Sequence, residues 1–516
     1  MINGFGPVFG YLGYQVHARK FFEALDRIEP VCLASNNPAG DFPLTPGLAR
    51  MLARQQGIDH RDTSICIDYA NNFHRFHGGR RIGFTVFEYT RLAVDWINGM
   101  RQVDEIWTTS SWGRKIIAAH GIPEQRIGVV PEGFDPQVFH PGLRARDRTR
   151  GVFRFLTVGK WEVRKGQAEL LRAWAQAFRG IDDVELVMMC DNPFVPGFSP
   201  QAEVLKLGLG PTAPVRHIRP VPSDRDMAGH YAEADCFVLP TRAEGWGLPI
   251  MEAMACGTPV ITTRYSAMTD YADDANAYLL DVARLSPVHD PLFFPRAGEA
   301  GEWAEIDVDA LAATMLHVYR NRDEAAARGA RAAADMHARW TWDHAARIAH
   351  GLVAAARGAA SVAPPPPAPA RVRAGDRSPE ALAALAIDEL IAIAEEILRS
   401  GDVGAAMALY RGWIAHATSP MGFVARFNLG CLEGDFGDPG RAELLYREAM
   451  AQHPGFIQAM LNLGTVLERQ GRVAEAAAEW DRAVASILAA ANPDPTLLAH
   501  ARDNLARVRG AVPLPR

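Results

Sequence analysis

Two glutamates, Glu244 and Glu252, stand with seven residues between them in the run CFVLPTRAEGWGLPIMEAMACGTPVIT (236–262). An apolar strand ends at Pro240, and a loop carries Glu244, Gly245 and Gly247. Pro249 then fits the first turn of a helix, where its missing N–H costs nothing. The helix stops at Gly257 and a second strand begins at Pro259. This spacing sets both carboxylates at one mouth of a parallel sheet, beside the backbone N–H groups of Gly247 and Leu248. Such a mouth is where ligands enter open α/β sheets. Glycines at a helix start expose N–H groups to an anion such as a phosphate, and a carboxylate there accepts hydrogen bonds from hydroxyls. Taken singly, each glutamate is also a favourable charge at a helix N-terminus.

Two further stretches carry polar groups into loops. Gly6 to Gly13 is a glycine-rich loop between a short strand and a helix that starts near Tyr14. Its last glycine, Gly13, fits a close approach to a ligand, although such loops also serve as plain turns. Asp224-Arg225-Asp226 has a metal-binding spacing, but it follows Pro222-Ser223 and opens a helical run. A capping role is the expectation there.

The elements that must position these residues alternate. Strand-like runs at 65–69, 82–87, 105–109 and 127–130 are interleaved with helical runs such as Ser111 to His120. A second set follows at 154–158, 185–189, 236–239 and 259–262, with a helix at Gln167 to Phe178. Strands alternating with helices predict parallel sheets covered on both faces. The fold class is therefore α/β with two doubly wound, Rossmann-like domains at 1–149 and 150–342. The break near Thr149 falls in the polar, turn-rich stretch 141–150. A Pro/Ala-rich linker at 359–380, with four consecutive prolines from Pro364, reads as an extended spacer.

Everything after the linker, 381–510, reads as an all-α repeat domain. Asn428-Leu429-Gly430 recurs as Asn462-Leu463-Gly464, and Gly437, Ala442, Tyr446 and Ala449 recur as Gly471, Ala476, Trp480 and Ala483, all at a period of 34. A weaker copy at Gly401, Ala406 and Tyr410 is offset by 36, which places two extra residues near 418–422. The period resembles the tetratricopeptide repeat (TPR), a helix–turn–helix unit. Leu497 to Val508 is the expected capping helix.

The 236–262 run resembles the signature of the GT4 family of retaining glycosyltransferases, which have the GT-B fold. Its mark is two glutamates with seven residues between them, within a Glu-Gly-x-Gly-Leu-Pro…Glu-Ala-x-Ala-x-Gly-x-Pro-Val-Ile context. Val158 to Gly166 resembles the loop whose basic residues hold a donor pyrophosphate, here Lys160 and Lys165. Val130 to Asp135 resembles the run that leads into the second domain, and Trp340-Thr341-Trp342 the start of a helix, about 343–357, that crosses back to the first. The resemblance covers about residues 1–357. It implies that Glu252 holds the donor ribose and Glu244 the transferred sugar, with Gly245, Gly247, Leu248 and Gly13 also on the donor side. Glu244, Lys165 and Glu88 are the implied catalytic residues. One position departs. The family's His-Glu pair after a first-domain strand reads Phe87-Glu88 here, so Phe87 stands where the His would; His74 and His77 are the candidate substitutes.

The implied reaction moves a sugar from a UDP- or GDP-sugar to an acceptor hydroxyl with retention, without a cofactor or metal. The acceptor is a glycan, a lipid-linked sugar or a protein. The repeats bind a protein partner or mediate self-association. A non-catalytic scaffold, a sugar phosphorylase and a nucleotide-sugar epimerase are the alternative readings. With a net charge of −6 and no long basic run, nucleic acid is not an expected partner. Six scattered cysteines form no Cys-x-x-Cys pair, which argues against zinc ribbons and disulfide frameworks. No signal-peptide pattern or membrane-length apolar run is seen, so the expectation is a cytoplasmic protein, peripheral at most to the inner membrane surface.

Overall fold

The computed structural model describes residues 1–40, 42–144, 151–210, 212–221, 223–362, 379–399, 402–489 and 495–511. Thr149, most of the proline linker and Gly401 lie outside the described residues. The chain divides into two compact units, Met1–Ala363 and Pro364–Arg516.

The first unit holds two six-stranded parallel sheets. The first is built from β1 (Ile2–Gly6), β2 (Val31–Ser35), β3 (Thr63–Ile67), β4 (Arg80–Phe84), β5 (Glu105–Thr108) and β6 (Ile127–Val129), in the order β2-β1-β3-β4-β5-β6. The second comprises β7 (Phe153–Val158), β8 (Val184–Met189), β9 (Val215–His217), β10 (Cys236–Leu239), β11 (Val260–Thr263) and β12 (Tyr278–Leu280), in the order β12-β11-β10-β7-β8-β9. A short antiparallel hairpin, β13 (Leu285–Pro287) with β14 (Glu302–Ala304), is appended to the second sheet's domain.

Helices α1 (Gly13–Asp26), α2 (Pro46–Ala53), α3 (Val94–Arg101) and α4 (Ser111–Ala119) belong to the first sheet, and α5 (Gln167–Ala177), α6 (Pro200–Lys206), α7 (Asp224–Glu233), α8 (Leu248–Ala255), α9 (Val308–Arg320) and α10 (Arg322–Arg339) to the second. Each sheet has a core on both faces, so its central strands are buried almost throughout and do not alternate between buried and exposed positions. The strand orders reverse direction between β1 and β3 and between β7 and β10. These are the switch points at which doubly wound sheets open a crevice.

The domains are joined by two crossings that touch. The segment after β6 pairs with the start of α11 (Trp342–Val362) through a bridge between Phe134 and Thr341. A Cβ at Gly133 would lie 2.3 Å from the Trp342 nitrogen, so only glycine permits this crossing. Trp342, Ala345, Ala346, Ala349 and Val353 then bury against α1, in the first domain's core. The expected strand at 82–87 ends at Phe84; Thr85 to Glu88 leave the sheet as a loop.

The second unit is all helix: α12 (Pro379–Ala384), α13 (Ile387–Arg399), α14 (Val403–His416), α15 (Gly422–Phe436), α16 (Pro439–Gln452), α17 (Ile457–Arg469), α18 (Val473–Ala489) and α19 (Pro495–Ala511). The 34-residue period has a packing cause. A Cβ on Gly430 would sit 2.8 Å from the Tyr446 ring, and one on Gly464 would sit 2.3 Å from Trp480. Glycine on one helix thus receives the aromatic of the next, and Ala442, Ala449, Ala476 and Ala483 are fully buried beside it. The two extra residues of the weaker copy fall in the α14–α15 connection. α19 closes the array with Ala501, Leu505 and Val508. Five cysteines are buried and Cys431 half-buried, all free. Among the described residues no helix is long and apolar enough to cross a membrane.

This packing separates two glycines of the array. Gly464→Ala forces Trp480 aside and is expected to cost about 1–3 kcal/mol. At Gly434, where a Cβ would meet neighbours only at 3.6 Å or beyond, alanine is expected to be neutral or stabilising, by up to about 1 kcal/mol. Thermal melts of the full-length variants followed by far-UV circular dichroism check the contrast; equal effects would refute it.

Candidate active site

The second sheet's switch point brings two loops together. One follows β7 and runs from Gly159 to Gly166; the other follows β10 and runs from Pro240 to Gly247. Gly166 adopts φ +70° at the start of α5, and a Cβ there would lie 2.5 Å from the Pro240 carbonyl oxygen. Glycine therefore lets the first loop rest on the end of β10. At the junction the Lys165 ammonium donates to both Glu244 oxygens, at 2.7 and 2.9 Å. Arg164 reaches the same carboxylate at 3.1 Å. Arg164 also pairs with Glu162 at 2.6 Å and lies 3.6 Å from Glu88 of the first domain.

Glu244 is 4% exposed and Lys165 8%. Burial would raise the Glu244 carboxyl, but the charges of Lys165 and Arg164, with hydrogen bonds from Lys165 and Thr241, hold it down to about 2. Ser266 Oγ accepts the Glu244 backbone N–H at 2.8 Å. Ser266 does so at φ 56°, the one non-glycine residue with positive φ among the described residues. A left-handed serine is a local strain that the surrounding packing sustains.

Gly245 marks where the domains touch. A Cβ on it would lie 2.1 Å from Val86 Cγ1 and 3.2 Å from the Phe87 oxygen, and Thr109 Oγ1 donates to the Gly245 carbonyl. Gly247 turns the chain into α8 at φ +96°. Tyr271 donates its hydroxyl to the Trp246 carbonyl at 3.0 Å, which fixes that turn. Since Pro249 has no N–H, Gly247 and Leu248 are the backbone donors at the helix tip, aligned with the positive end of its dipole.

Glu252 lies apart from the Lys165 pair. It accepts from the Tyr231 hydroxyl at 3.0 Å. Burial, and then the nearby Asp224 charge, push its carboxyl up to about 8, against the opposing effects of Tyr231 and Lys20. Lys20 of α1 crosses from the first domain to bond Asp224 at 2.6 Å. Ser223 is the cap of α7, accepting from the Asp226 N–H at 3.0 Å, with Asp224 and Asp226 in its first turn. Glu132 is buried, 3.2 Å from His17 Nδ1. Burial pushes the Glu132 carboxyl up, as do the charges of Glu88, Glu244 and Glu252.

The remaining expected residues are spread out. Lys160 pairs with Glu162 at 2.9 Å and lies over the Phe293 ring at 3.9 Å and the Phe194 ring at 5.0 Å. It joins the Lys165 cluster only through Glu162. Gly13 is the first residue of α1, with open space where a Cβ would be. Phe87 is 2% exposed, packed on Trp112 and Trp96, and offers no polar group. His77 faces His60 and precedes β4, at the amino edge of the sheet opposite Glu88. His74 lies 2.9 Å from the Asn71 carbonyl within its own turn. His77 therefore does not stand beside Glu88 in place of the missing one. Arg164, Glu162, Glu132 and Ser266 were not singled out from the sequence, although the first three lie inside the runs that carried the resemblance. Ser266 has no local signal, because only the fold shows its conformation.

Two doubly wound domains facing each other across this crevice, with a helix crossing back, define a GT-B architecture. Residues 152–288 match the family Glycosyl transferases group 1, and residues 427–495 match the tetratricopeptide repeat. The second α/β domain is thus a group 1 glycosyl transferase domain, and the helical unit is a tetratricopeptide array. The chain is 30% identical over 246 residues to D-inositol 3-phosphate glycosyltransferase 1 of Catenulispora acidiphila, covering 42% of this chain and 56% of that protein. It is 27% identical over 199 residues to a GDP-mannose-dependent alpha-(1-6)-phosphatidylinositol monomannoside mannosyltransferase of Mycolicibacterium smegmatis, covering 36% and 50%. The match thus spans about half the length of these curated relatives. The fold is shared with sucrose-phosphate synthase from Thermosynechococcus elongatus, at TM-score 0.52 and 17% identity, over 69% of this chain and 99% of that one.

The raised Glu252 carboxyl has a consequence for stability. The unfolded chain releases this proton near the ordinary value of 4.5, the folded chain near 8. Its contribution is full below about 4.5 and is lost as pH rises to about 8, at up to ~1.4 kcal/mol per pH unit. Glu252→Gln is therefore expected to show a shallower fall in thermal midpoint from acidic to mildly alkaline pH than the unaltered protein. Parallel profiles would show that Glu252 titrates normally.

Proposed function

We propose that the chain transfers a sugar from a nucleotide-sugar donor to an acceptor hydroxyl, with retention at the anomeric carbon and without a metal ion. The observation that carries this reading is the convergence of Lys165 and Arg164 on buried Glu244, beside the tip of α8. As the anomeric C–O bond breaks, charge builds on the departing diphosphate. Lys165, Arg164 and the N–H groups of Gly247 and Leu248 are fixed positive groups in a water-poor crevice, where they count for most. Glu244 keeps the two cations in place and is the group offered to the sugar hydroxyls; Glu252, beside Tyr231, is offered to the ribose. The acceptor oxygen attacks the face the diphosphate leaves, and its proton passes to the departing phosphate oxygen. The acceptor rests on the first domain near Glu88, and closure of the domains excludes water.

Both UDP- and GDP-sugars belong in the search for the donor, since one relative's name specifies GDP-mannose. The helical repeats serve to bind a protein partner or a second copy. A second reading, a scaffold that binds without catalysing, has one observation in its favour: apolar Phe87 fills the place of the family histidine.

A nucleotide-sugar panel screened by thermal shift tests the reading, because a ligand that binds only the folded state raises its stability. Failure of every donor to bind or be consumed would end it. Lys165→Ala is expected to lower turnover at least about tenfold, equivalent to ~1.4 kcal/mol in the barrier. Turnover is expected to be unchanged in excess EDTA; loss that Mn²⁺ or Mg²⁺ restores would overturn the metal-free account.

A further inference from the structure

The first sheet has its own switch point, between β1 and β3, and the carboxyl end of β3 runs directly into Asp68 and Tyr69. Tyr69 is 53% exposed, an unusual state for an aromatic ring set in a crevice. It is not loosely held. Its ring meets Tyr14 edge-on at 4.8 Å and Trp96 at 5.8 Å, and Trp96 in turn meets Tyr89 at 6.0 Å. Its backbone N–H donates to the Asp68 carboxylate at 2.7 Å, and the same carboxylate accepts from Asn72 at 3.0 Å.

This aromatic group is tied to the loop that carries one carboxylate. Glu88, whose side chain is 34% exposed, lies two residues beyond Val86, the residue that Tyr14 holds. The Tyr14 hydroxyl donates to the Val86 carbonyl at 2.6 Å and accepts from the Val86 N–H at 2.8 Å. One side chain therefore braces the Tyr69 ring and pins the loop that presents Glu88. Ring and carboxylate are held in fixed relation.

The geometry points to a neutral pyranoside as the acceptor, stacked on Tyr69 with its hydroxyls donating to Glu88. This inference rests on the donor reading above and deepens it. The face of a pyranose carries C–H groups that suit the negative face of an aromatic ring, while its rim carries hydroxyls that suit a carboxylate. Aromatic walls with a few fixed polar groups are the usual make-up of a ligand site. Charge excludes the alternative of a phosphorylated polyol. The cation nearest to Glu88, Arg164 at 3.6 Å, is already paired with Glu162 and Glu244. An anionic acceptor would instead meet the Glu88 carboxylate, and like charges repel.

Saturation-transfer difference NMR on the full-length protein tests this, with UDP or GDP present and three probes: methyl α-D-glucopyranoside, methyl α-D-mannopyranoside and D-myo-inositol 3-phosphate. At least one neutral glycoside is expected to bind through its ring C–H protons, more tightly than the inositol phosphate. Binding is expected to weaken about tenfold or more in Tyr69→Ala and to persist in Tyr69→Phe and Tyr69→Trp. The thermal shift with nucleotide should be the same in all variants, which shows that they fold. The proposal is overturned if Tyr69→Ala binds the glycosides as well as the unaltered protein, or if the inositol phosphate is preferred. It is also overturned, with the donor reading left standing, if no glycoside binds while the nucleotide shift persists. Loss of both nucleotide and glycoside binding would overturn the two together.

Discussion

A carboxylate buried with almost no contact with water, Glu244, constrains everything near it. Such a group is costly unless charge and hydrogen bonds compensate it. Lys165 and Arg164 supply the charge, and Ser266 fixes the backbone from behind. For those groups to meet, the ends of β7 and β10 must be adjacent, which is what the β12-β11-β10-β7-β8-β9 order provides. Gly166 must let one loop lie on the other, and Gly245 must let the first domain approach. The charge cluster and the parallel sheet are thus one design viewed at two scales.

The sequence made the architecture legible to the extent that its signals were periodic. Apolar-rich runs such as 236–239 and 185–189 read directly as buried parallel strands, and the 34-residue recurrence reads as a helical array because the same glycine–aromatic contact is made twice. The strand expected at 82–87 ran three residues too long. Val86 and Phe87 are apolar because they pack on Gly245 and Trp112 and not because they lie in the sheet. Short edge strands such as β9, and the β13–β14 hairpin, carry too little pattern to be seen.

The site was legible as a set of runs and less so as a set of partners. Glu244, Lys165, Gly245, Gly247 and Leu248 converge at one sheet mouth. Pairing across 79 residues of chain, however, as between Lys165 and Glu244, has no trace in local spacing. Arg164 stands beside Lys165 and does comparable electrostatic duty, yet only its geometry against Glu162, Glu244 and Glu88 distinguishes it from a surface arginine. Lys160 has the opposite history: a promising position in the loop, but a cation placed between two phenylalanine rings. The conformation of Ser266 belongs to the fold as a whole.

The loop from Thr85 to Arg91 is gripped at both ends by the second domain. Gly245 presses on Val86 and Phe87, while the Arg91 N–H donates to Ala300 at 3.0 Å and Thr90 Oγ1 accepts from the Glu302 N–H at 2.7 Å, both in the hairpin. Glu88 sits midway between those anchors. Separating the two domains must therefore release both grips, and it parts Glu88 from Arg164 in the same movement. Opening of the crevice is in this way coupled to the conformation of one short loop.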